Sequence, residues 1–303
     1  AHRIPAGRLT VTLLDIPPAA IVGQLLVGLI NGSFYALLSL GLAIIFGLLH
    51  IVNFAHGAQY MLGAFIAWAM LEYLGLGYWW ALLVVPLVTA VIGIVIERTM
   101  LRRLHGLDPV YALLLTFGLA LLLEGAFRLK FGATGQPYAS PLSGGLKLPF
   151  AFLPAYRLWV IGASLVICLA TWWFVERTRF GAYLRAAHEN PALVRTFGIR
   201  VPLLLTLTYG LGVGLAGLGG VMAAPIYQVN PLMGSNLIIV VFAVVVIGGM
   251  GSIIGAIVAG FGLGVIEGLT RLLAPDYAGI VVFVVMLLVL AFKPAGLFGR
   301  GEI

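Results

Sequence analysis

The stretch NFAHGAQYMLGAF, residues 53 to 65, places an Asn, a His and a Gln close together in a chain that is otherwise very apolar. If this stretch is helical, Asn53, His56 and Tyr60 fall within about 60° of one another, with Gln59 slightly to one side. Such a stripe of neutral hydrogen-bonding groups could line a translocation path for a small polar solute without the cost of a buried charge. The same groups could instead cap the inner end of the preceding span and tie two helices together.

The other polar residues give little support for a catalytic site or a metal-binding site. His50 and His56 are six residues apart with no third His, Asp or Glu nearby, so they do not match a zinc-binding spacing. No Ser has the GxSxG context of a hydrolase nucleophile. None of the three lysines follows a Gly, so a P-loop is absent and ATP-driven work requires a partner. We therefore predict no catalytic residue and no metal or cofactor bound by this chain.

The composition indicates an integral membrane protein. Hydrophobic residues make up 62% of the 303 residues and charged residues only 9%, which no water-soluble domain of this length could present to solvent. Cys168 is the single cysteine, so a disulfide framework is excluded. The net charge of +7 is low for the chain length, and its distribution along the chain is more informative than its size.

Apolar runs of roughly 17 to 25 residues recur along the chain, each long enough for a helix to cross the hydrocarbon layer. Because the alternation of a barrel strand is absent, we predict an all-α fold, a polytopic transmembrane bundle of about 8 to 9 hydrophobic segments. The whole chain, 1–303, is expected to be one transmembrane domain. The spans are predicted near 20–49, 57–77, 79–97, 110–129, 158–175, 202–223, 237–249, 253–269 and 278–292.

Two details of these spans remain open from the sequence. The first span could be one tilted helix or two pieces broken at residues 31–33, NGS, and the side of the amino terminus depends on that choice. The pair near 237–269 meets at GGMGS without a charged residue. Both members look short, which predicts a broken or re-entrant pair of the kind found at transporter substrate sites, or else a tight helical hairpin.

Basic residues gather in alternate connections. The segments 97–108, 176–200 and 293–303 hold ten of the seventeen Lys and Arg residues. The positive-inside rule therefore places these segments, and with them the carboxyl terminus, in the cytoplasm. The remaining connections hold only five basic residues and are expected to face outward.

Acidic residues and glycines inside the spans indicate packing. Glu124 with Arg128, and Glu267 with Arg271, are four residues apart, so each pair is expected to neutralise itself along one helix. A proton relay would instead need an unpaired acid deep in the membrane. The glycines at 210, 214 and 217 share one helix face, as do those at 260, 264 and 268, and small residues let helices approach closely in lipid.

The segment 176–202, ERTRFGAYLRAAHENPALVRTFGIRVP, is longer than an ordinary connection. It predicts a short helix, an interruption at Pro191 and a second helical piece. Leu184, Ala187, Leu193 and Phe197, surrounded by arginines, could press against a cytoplasmic protein. A basic amphipathic segment of this kind could also lie on anionic lipid.

Several longer motifs resemble one transporter family. NGSFYALLSLGLAIIFGLLHIVNFAHGAQYMLGAF, residues 31–65, resembles the amino-terminal signature of the branched-chain amino-acid ABC transporter permeases, of the type with NFAHG where its sister subunit has SLGHA. RAAHENPALVRTFGI, residues 185–199, resembles the coupling segment of that family. The similarity continues through GLAGLGGVMAAPIYQVNP, VVIGGMGSIIGAIVAG and KPAGLFG, and so covers nearly the whole chain.

The resemblance implies a multi-pass permease subunit in the bacterial inner membrane, without enzymatic activity of its own. Its expected partners are a second permease, usually the sister type, two cytoplasmic ATPase subunits that carry ATP and Mg, and an extracytoplasmic solute-binding protein; nucleic acid is not expected. The residues expected to meet an ATPase are Arg185, Ala186, Glu189, Asn190, Gly198 and Ile199. Import of branched-chain or related small amino acids is the expected function, with urea or short amides, or an ion-gradient-driven carrier, as alternatives.

Overall fold

The computed structural model describes residues 17–49, 51–148 and 151–299. The helices of this part of the chain are α1 (Pro18–Leu49), α2 (Ala55–Leu74), α3 (Tyr78–Thr99), α4 (Pro109–Phe131), α5 (Ala155–Arg177), α6 (Arg179–Glu189), α7 (Pro191–Thr196), α8 (Val201–Ala223), α9 (Met233–Gly248), α10 (Ile253–Leu273) and α11 (Val281–Phe292). An antiparallel hairpin of β1 (Gly145–Leu148) and β2 (Ala151–Pro154) is a small exception to the all-α prediction. It gives backbone groups of the long α4–α5 connection hydrogen-bond partners.

Each of the nine predicted spans corresponds to one helix, α1 to α5 and α8 to α11. Six of these helices, α1, α3, α4, α5, α8 and α10, are long and apolar enough to cross a membrane. Helix α2 has 20 residues and contains most of the polar stretch, whereas α9 and α11 have 16 and 12 residues. The protein is therefore a multi-pass membrane protein with the predicted helical bundle.

Helix α1 is the centre of the bundle. It runs unbroken for 32 residues, which excludes a break at residues 31–33. In its most apolar window 83% of the residues are buried, against 22% in α5 and 11% in α4. Helices α8, α9 and α10 pack around α1, while α4 and α11 lie at the periphery. Polar side chains in the middle of the central helices, such as Ser39, Gln59 and Thr208, are therefore enclosed by protein.

Glycines make the closest helix contacts, as their spacing predicts. Gly260, Gly264 and Gly268 all face α1, and a side-chain carbon added at Gly260 would lie 2.5 Å from the Cα of Ala36. The predicted glycine face of α8 packs in the same way against α3. In lipid, where apolar association between helices gains little from water, this close backbone approach supplies the packing contacts.

The connections predicted to be cytoplasmic gather at one end of the bundle, which we call the basic end. Leu48 of α1 packs there with Leu184 of α6. Arg102, which follows α3, and Arg195 of α7 line one cavity. The amide of Phe298, beyond α11, donates to the carbonyl of Gly248 at the end of α9. The grouping of these segments is confirmed, and their cytoplasmic location stays a prediction.

The remaining connections meet at the opposite end. Gln136 forms an isolated antiparallel bridge with Val229, which joins the α4–α5 connection to the α8–α9 connection. The ring of Tyr78 packs edge-on against that of Tyr156, with 5.6 Å between the centroids. Leu272, near the end of α10, shares a cavity wall with the β2 strand. The alternation of the two kinds of connection therefore follows the charge pattern of the sequence.

Helices α9 and α10 form a hairpin, and neither helix is broken. Four residues join them, and Gly249 and Gly251 both have φ in the left-handed region, at 101° and 83°. The prediction of a short span holds for α9, with 16 residues. It is wrong for α10, which has 21 residues and continues past position 269, because Glu267 and Arg271 pair with each other and remain within the helix.

Some sequence-based predictions concern residues outside the described ranges. His50 lies between two described ranges, so its position relative to His56 is outside the described residues. Residues 1–16 and 300–303, which hold the two termini, are also outside them. The sides of the membrane on which the termini lie therefore remain predictions.

Candidate functional site

The polar stretch folds into a cluster in the interior of the bundle, which we call the central polar cluster: Asn53, His56, Gln59, Tyr60 and, from α8, Tyr209. All five residues are 0% exposed. Helix α2 begins at Ala55, so Asn53 precedes the helix and does not continue its stripe. The sequence therefore identified four of the five members, although the helical stripe from which they were predicted does not include Asn53.

A hydrogen-bond chain links the cluster across two helices. The side-chain amide of Asn53 donates to Oε1 of Gln59 at 3.2 Å, and Nε2 of Gln59 donates to the hydroxyl of Tyr209 at 3.0 Å. Oδ1 of Asn53 accepts from the amide of Ala55 at 3.1 Å at the start of α2. Tyr209 was missed by sequence reasoning, although a Tyr flanked by Thr and Gly in an apolar span is a usable signal.

His56 ties α2 to α1. Its Nε2 lies 3.0 Å from the carbonyl oxygen of Leu38 and must donate, because a carbonyl can only accept. The ring lies against Gly41, where an added side-chain carbon would be 3.1 Å from it and 2.8 Å from the carbonyl oxygen of Gly212. Glycine at position 41 is therefore required for α1, α2 and α8 to meet at this point.

The cluster lies well inside the bundle rather than at the end of α1. Leu38 is eleven residues before the last residue of α1, which corresponds to about 16 Å along the helix. The chain between α1 and α2 must therefore return into the bundle, and residues 51–53 have no regular secondary structure. Ile51 and Asn53 are both buried there. Irregular backbone at this depth is tolerated where surrounding protein covers it.

Two polar atoms of the cluster have no hydrogen-bond partner among the described residues. They are Nδ1 of His56 and the hydroxyl of Tyr60, both buried. A buried polar atom without a partner is unfavourable, so these two atoms are available to a water molecule or to a polar solute.

The second candidate region is the segment 176–202, which we call the docking segment. It forms α6 and α7 at the basic end, with an N-cap at Asn190 whose Oδ1 accepts from the amide of Leu193 at 2.9 Å. Arg185 is directed back to α5, where it donates to the carbonyl of Val175 at 2.9 Å and contacts Glu176 at 3.3 Å. Arg185 therefore fixes α6 to the end of α5.

The docking segment divides its apolar residues between two faces. Leu184 and Ala187 are buried against the chain itself, in a cluster with Val194. Leu193 and Phe197 are 54% and 75% exposed. The prediction that all four predicted apolar residues face a partner is therefore wrong for Leu184 and Ala187, because they close the basic end of the bundle.

The other residues predicted to meet an ATPase lie around this exposed face. Ala186, Glu189 and Asn190 are exposed at the end of α6. Gly198 has a φ of 77° and is exposed, and Ile199 is half-buried. These positions are accessible in the isolated chain, and their role in coupling stays a prediction.

Two buried acids form networks that the sequence only partly indicated. Glu267 pairs with Arg271 at 2.5 Å, as predicted, and also accepts from the hydroxyl of Tyr35 at 2.7 Å. Glu97 accepts from the hydroxyl of Thr206 at 2.5 Å, a contact that pattern reading missed because the two residues lie on different helices. Both acids therefore already have partners, which is not the arrangement of a free proton carrier.

One predicted pair does not form. The ion pairs among the described residues join Glu176 to Arg185 and Glu267 to Arg271, and Glu97 lies 3.8 Å from the His105 ring, which is charged only when protonated. Glu124 and Arg128 are not joined, because α4 is peripheral and its polar side chains are free to extend away from one another.

His105, outside the span, is half-buried. Burial lowers the pKa of its imidazole below the ordinary value, an effect that the Glu97 carboxylate opposes and Arg102 reinforces. The described residues contain no group of three or more His, Cys, Asp or Glu side chains that could hold a metal ion.

The chain was compared with known proteins. The family model for the permease component of the branched-chain amino acid transport system matches residues 24–290. The high-affinity branched-chain amino acid transport system permease proteins BraD of Pseudomonas aeruginosa and LivH of Escherichia coli are 30% and 29% identical to the chain, over 92% of this chain and 96% of each relative. The ribose import permease protein RbsC of Escherichia coli is 28% identical over 50% of the chain and 51% of its own length. No solved structure matches.

The family match covers most of the chain, and it includes α2, the docking segment and the α9–α10 hairpin. The long relatives are similar over almost their entire length. The similarity is therefore to a whole permease, and not to one shared segment. The chain belongs to the family of branched-chain amino acid transport system permease components.

Proposed function

We propose that this permease is a subunit of an ABC importer that moves branched-chain or related small amino acids across the bacterial inner membrane. ATP hydrolysis on two partner ATPase subunits drives the transport, and a second permease and an extracytoplasmic solute-binding protein complete the assembly. The names of the relatives BraD and LivH support the substrate class. The observation that carries the proposal is the exposed apolar face of the docking segment.

The exposed apolar face of the docking segment has the composition expected of a surface that binds another protein. Leu193, in the short helix α7, and Phe197, directly after it, are large apolar residues at the basic end, and they are 54% and 75% exposed. Lipid explains exposed apolar residues along a spanning helix, whereas exposed apolar residues among charged ones at an aqueous surface favour a protein partner. Alternating access follows if ATP-dependent closure of the ATPases moves the docking segments.

The central polar cluster supports a path for a neutral or zwitterionic solute next to α2. Its side chains are neutral Asn, Gln, Tyr and a His that donates from Nε2, and two of them offer an atom without a partner among the described residues, Nδ1 of His56 and the hydroxyl of Tyr60. A solute that passes these atoms gains hydrogen bonds that the resting chain lacks. We therefore assign His56 and Tyr60 to the border of the path, and Asn53 and Gln59 to the support that orients them.

The first experiment tests the assembly. The tagged chain is co-expressed with its genomic neighbours, purified from membranes and assayed for ATPase activity and for solute uptake in proteoliposomes. ATP-dependent uptake of leucine, isoleucine or valine with a solute-binding protein is expected. Uptake of urea or acetamide, but of no amino acid, would contradict the proposed substrate class. Gradient-driven uptake by the isolated chain would contradict the importer proposal.

The docking face is tested with a matched pair of exposed phenylalanines. Phe197→Ala is expected to weaken ATPase binding by about 2 kcal/mol, roughly thirtyfold in Kd, which is the usual effect of removing an aromatic anchor from an interface. Phe292→Ala, on the peripheral helix α11 where Phe292 is 84% exposed, serves as control and should leave binding unchanged. Equal binding by both variants would contradict the placement of the interface.

The path is tested with two Tyr→Phe variants that each remove one hydroxyl. The hydroxyl of Tyr60 has no hydrogen-bond partner in the described part of the chain, so Tyr60→Phe is expected to raise the KM of uptake severalfold without lowering thermal stability. The hydroxyl of Tyr156 donates to the carbonyl of Met222 at 2.8 Å, so Tyr156→Phe should lower stability and leave KM unchanged. Unchanged uptake by Tyr60→Phe would remove Tyr60 from the path.

A further inference from the structure

A cavity of about 540 Å³ opens at the basic end between α3, α7 and α8. Its lining contains four arginines, Arg98, Arg102, Arg195 and Arg200, and no carboxylate. None of the four takes part in the ion pairs formed among the described residues. The cavity therefore concentrates four unneutralised positive charges at the position where two spanning helices end.

The fold brings these arginines together from distant parts of the sequence. Arg98 lies in the last turn of α3 and Arg102 four residues further, on the same side. Close packing of Ile94 against Gly210 sets an antiparallel register between α3 and α8, which brings Arg98 level with Thr206, another residue of the cavity wall. Arg195 and Arg200 reach the cavity from the end of α7 and the start of α8.

Such a cavity favours an anion with several oxygens. Like charges around one space repel each other, and a bound anion relieves that repulsion. Guanidinium groups form planar pairs of N–H donors that match the oxygens of a phosphate. Thr206 offers the anion no hydroxyl proton, because its hydroxyl donates to the buried carboxylate of Glu97. That one carboxylate opposes an anion, but the four arginines of the lining outnumber it.

One side of the cavity continues into an apolar surface. Val91 and Val95 precede Arg98 on one face of α3 and are 59% and 52% exposed. On α8, Leu203 lines the cavity, and Leu203 and Leu207 are 41% and 43% exposed. These residues belong to helices long and apolar enough to cross the membrane, so their exposed faces are suited to contact with lipid chains. Charge at the membrane surface and an apolar groove beneath it are the two halves of a phospholipid site.

We propose that the arginine cavity binds the headgroup phosphate of an anionic phospholipid, whose acyl chains lie along Val95 and Leu203. A phospholipid fits this surface better than an acidic segment of a partner protein, because the cavity continues directly into the membrane-facing surface. The exposed apolar residues of the docking segment, Leu193 and Phe197, are not part of its lining. The lipid connects α3 and α8 to the last turn of α7 and so holds the docking segment against the bundle. This inference does not depend on the transported solute.

The test uses the full chain purified in detergent and native mass spectrometry with added dioleoylphosphatidylglycerol or dioleoylphosphatidylcholine. One phosphatidylglycerol is expected to stay bound in preference to phosphatidylcholine. Arg98→Gln with Arg102→Gln should weaken its binding about thirtyfold, at about fivefold for each basic residue at a membrane surface. The control, Arg103→Gln with Arg177→Gln, removes the same charge from exposed arginines of the basic end outside the cavity lining and should bind like the original chain.

Folding of the variants is checked by their thermal midpoints without lipid, which should agree because the substituted arginines are exposed. Phosphatidylglycerol should then raise the midpoint of the original chain and of the control, but not that of the cavity variant. Equal retention of the two lipids, or equal binding by the cavity variant and the control, would overturn the proposal. Displacement of the lipid by millimolar inorganic phosphate would identify a free-anion site instead. Loss of the lipid when an ATPase binds would assign the cavity to that partner.

Discussion

The central polar cluster and the docking segment depart from the usual distribution of residues in opposite ways. In the cluster, five polar residues are completely buried within the most enclosed part of the bundle. In the docking segment, Leu193 and Phe197 are exposed in and directly after the short helix α7, outside the spans and next to charged residues. Both departures are more informative than the apolar spans themselves, because composition alone explains the spans.

The difference between the two regions lies in where their partners are. Most polar groups of the cluster find hydrogen-bond partners within the chain, for example Gln59 between Asn53 and Tyr209. The apolar face around Phe197 is not covered by any described residue, since the residues that close the bundle are Leu184, Ala187 and Val194. The cluster therefore serves the internal architecture first, and the docking segment presents a surface to something outside the chain. Three variants test this contrast, and a fourth, at His105, tests the electrostatics of the basic end outside both regions.

The largest effect is expected for Leu184→Ala in the docking segment. Leu184 is 8% exposed and packs with Leu48 and Val201, so its truncation leaves a cavity at the basic end. We expect a loss of about 2–5 kcal/mol of unfolding free energy. The measurement is the thermal midpoint of the purified protein in detergent. An unchanged midpoint would mean that α6 does not pack against the bundle.

A smaller loss is expected for Gln59→Leu in the central polar cluster. The substitution leaves the side-chain amide of Asn53 and the hydroxyl of Tyr209 with one partner fewer, at a cost of about 1–3 kcal/mol. Gln228→Leu, at an exposed glutamine of the α8–α9 connection, is the matched control. If the two variants melt at the same temperature, the hydrogen-bond chain does not stabilise the bundle.

Leu193→Ala sharpens the comparison because it makes the same chemical change as Leu184→Ala, nine positions further along. Leu193 is 54% exposed, so the unfolding free energy should stay within about 0.5 kcal/mol of the original value. Binding to an ATPase should nevertheless weaken, which can be measured by co-purification. A midpoint as low as that of Leu184→Ala would show that Leu193 is an internal packing residue.

The smallest effect is expected from the titration of His105 near the basic end. Burial lowers the pKa of this imidazole in the folded protein, so the unfolded chain binds the proton more readily. The neutral form therefore contributes full stability above the ordinary His pKa of about 6.5, and this contribution is lost as the pH falls below that value. The midpoint of the original chain should fall more steeply in acid than that of His105→Asn. Parallel pH profiles would contradict the assigned shift.

The docking segment shows how much residue spacing can predict about which side chains are buried. Ala187 and Val194 are seven residues apart, a helical spacing that predicts a common face, and both are buried. The sequence-based prediction named Leu193 and not Val194. Asn190 interrupts the helix and caps α7, yet the buried face continues through it. The spacing that indicates a buried Val194 was present in the sequence. The choice between Leu193 and Val194 as the buried residue nevertheless required the packing of α7 against the bundle.

The sequence by itself determined the features that depend on residues close together along the chain. Helix hydrogen bonds are local, so the lengths of the apolar runs were sufficient to predict nine helices, and the alternation of basic connections was sufficient to group them into two ends. The tertiary structure alone decided which groups meet across long separations, such as Tyr35 with Glu267 and Gln59 with Tyr209. It also decided the depth of the central polar cluster and the convergence of four arginines on one cavity. These features follow from the packing of helices against one another, which residue spacing within a single helix does not specify.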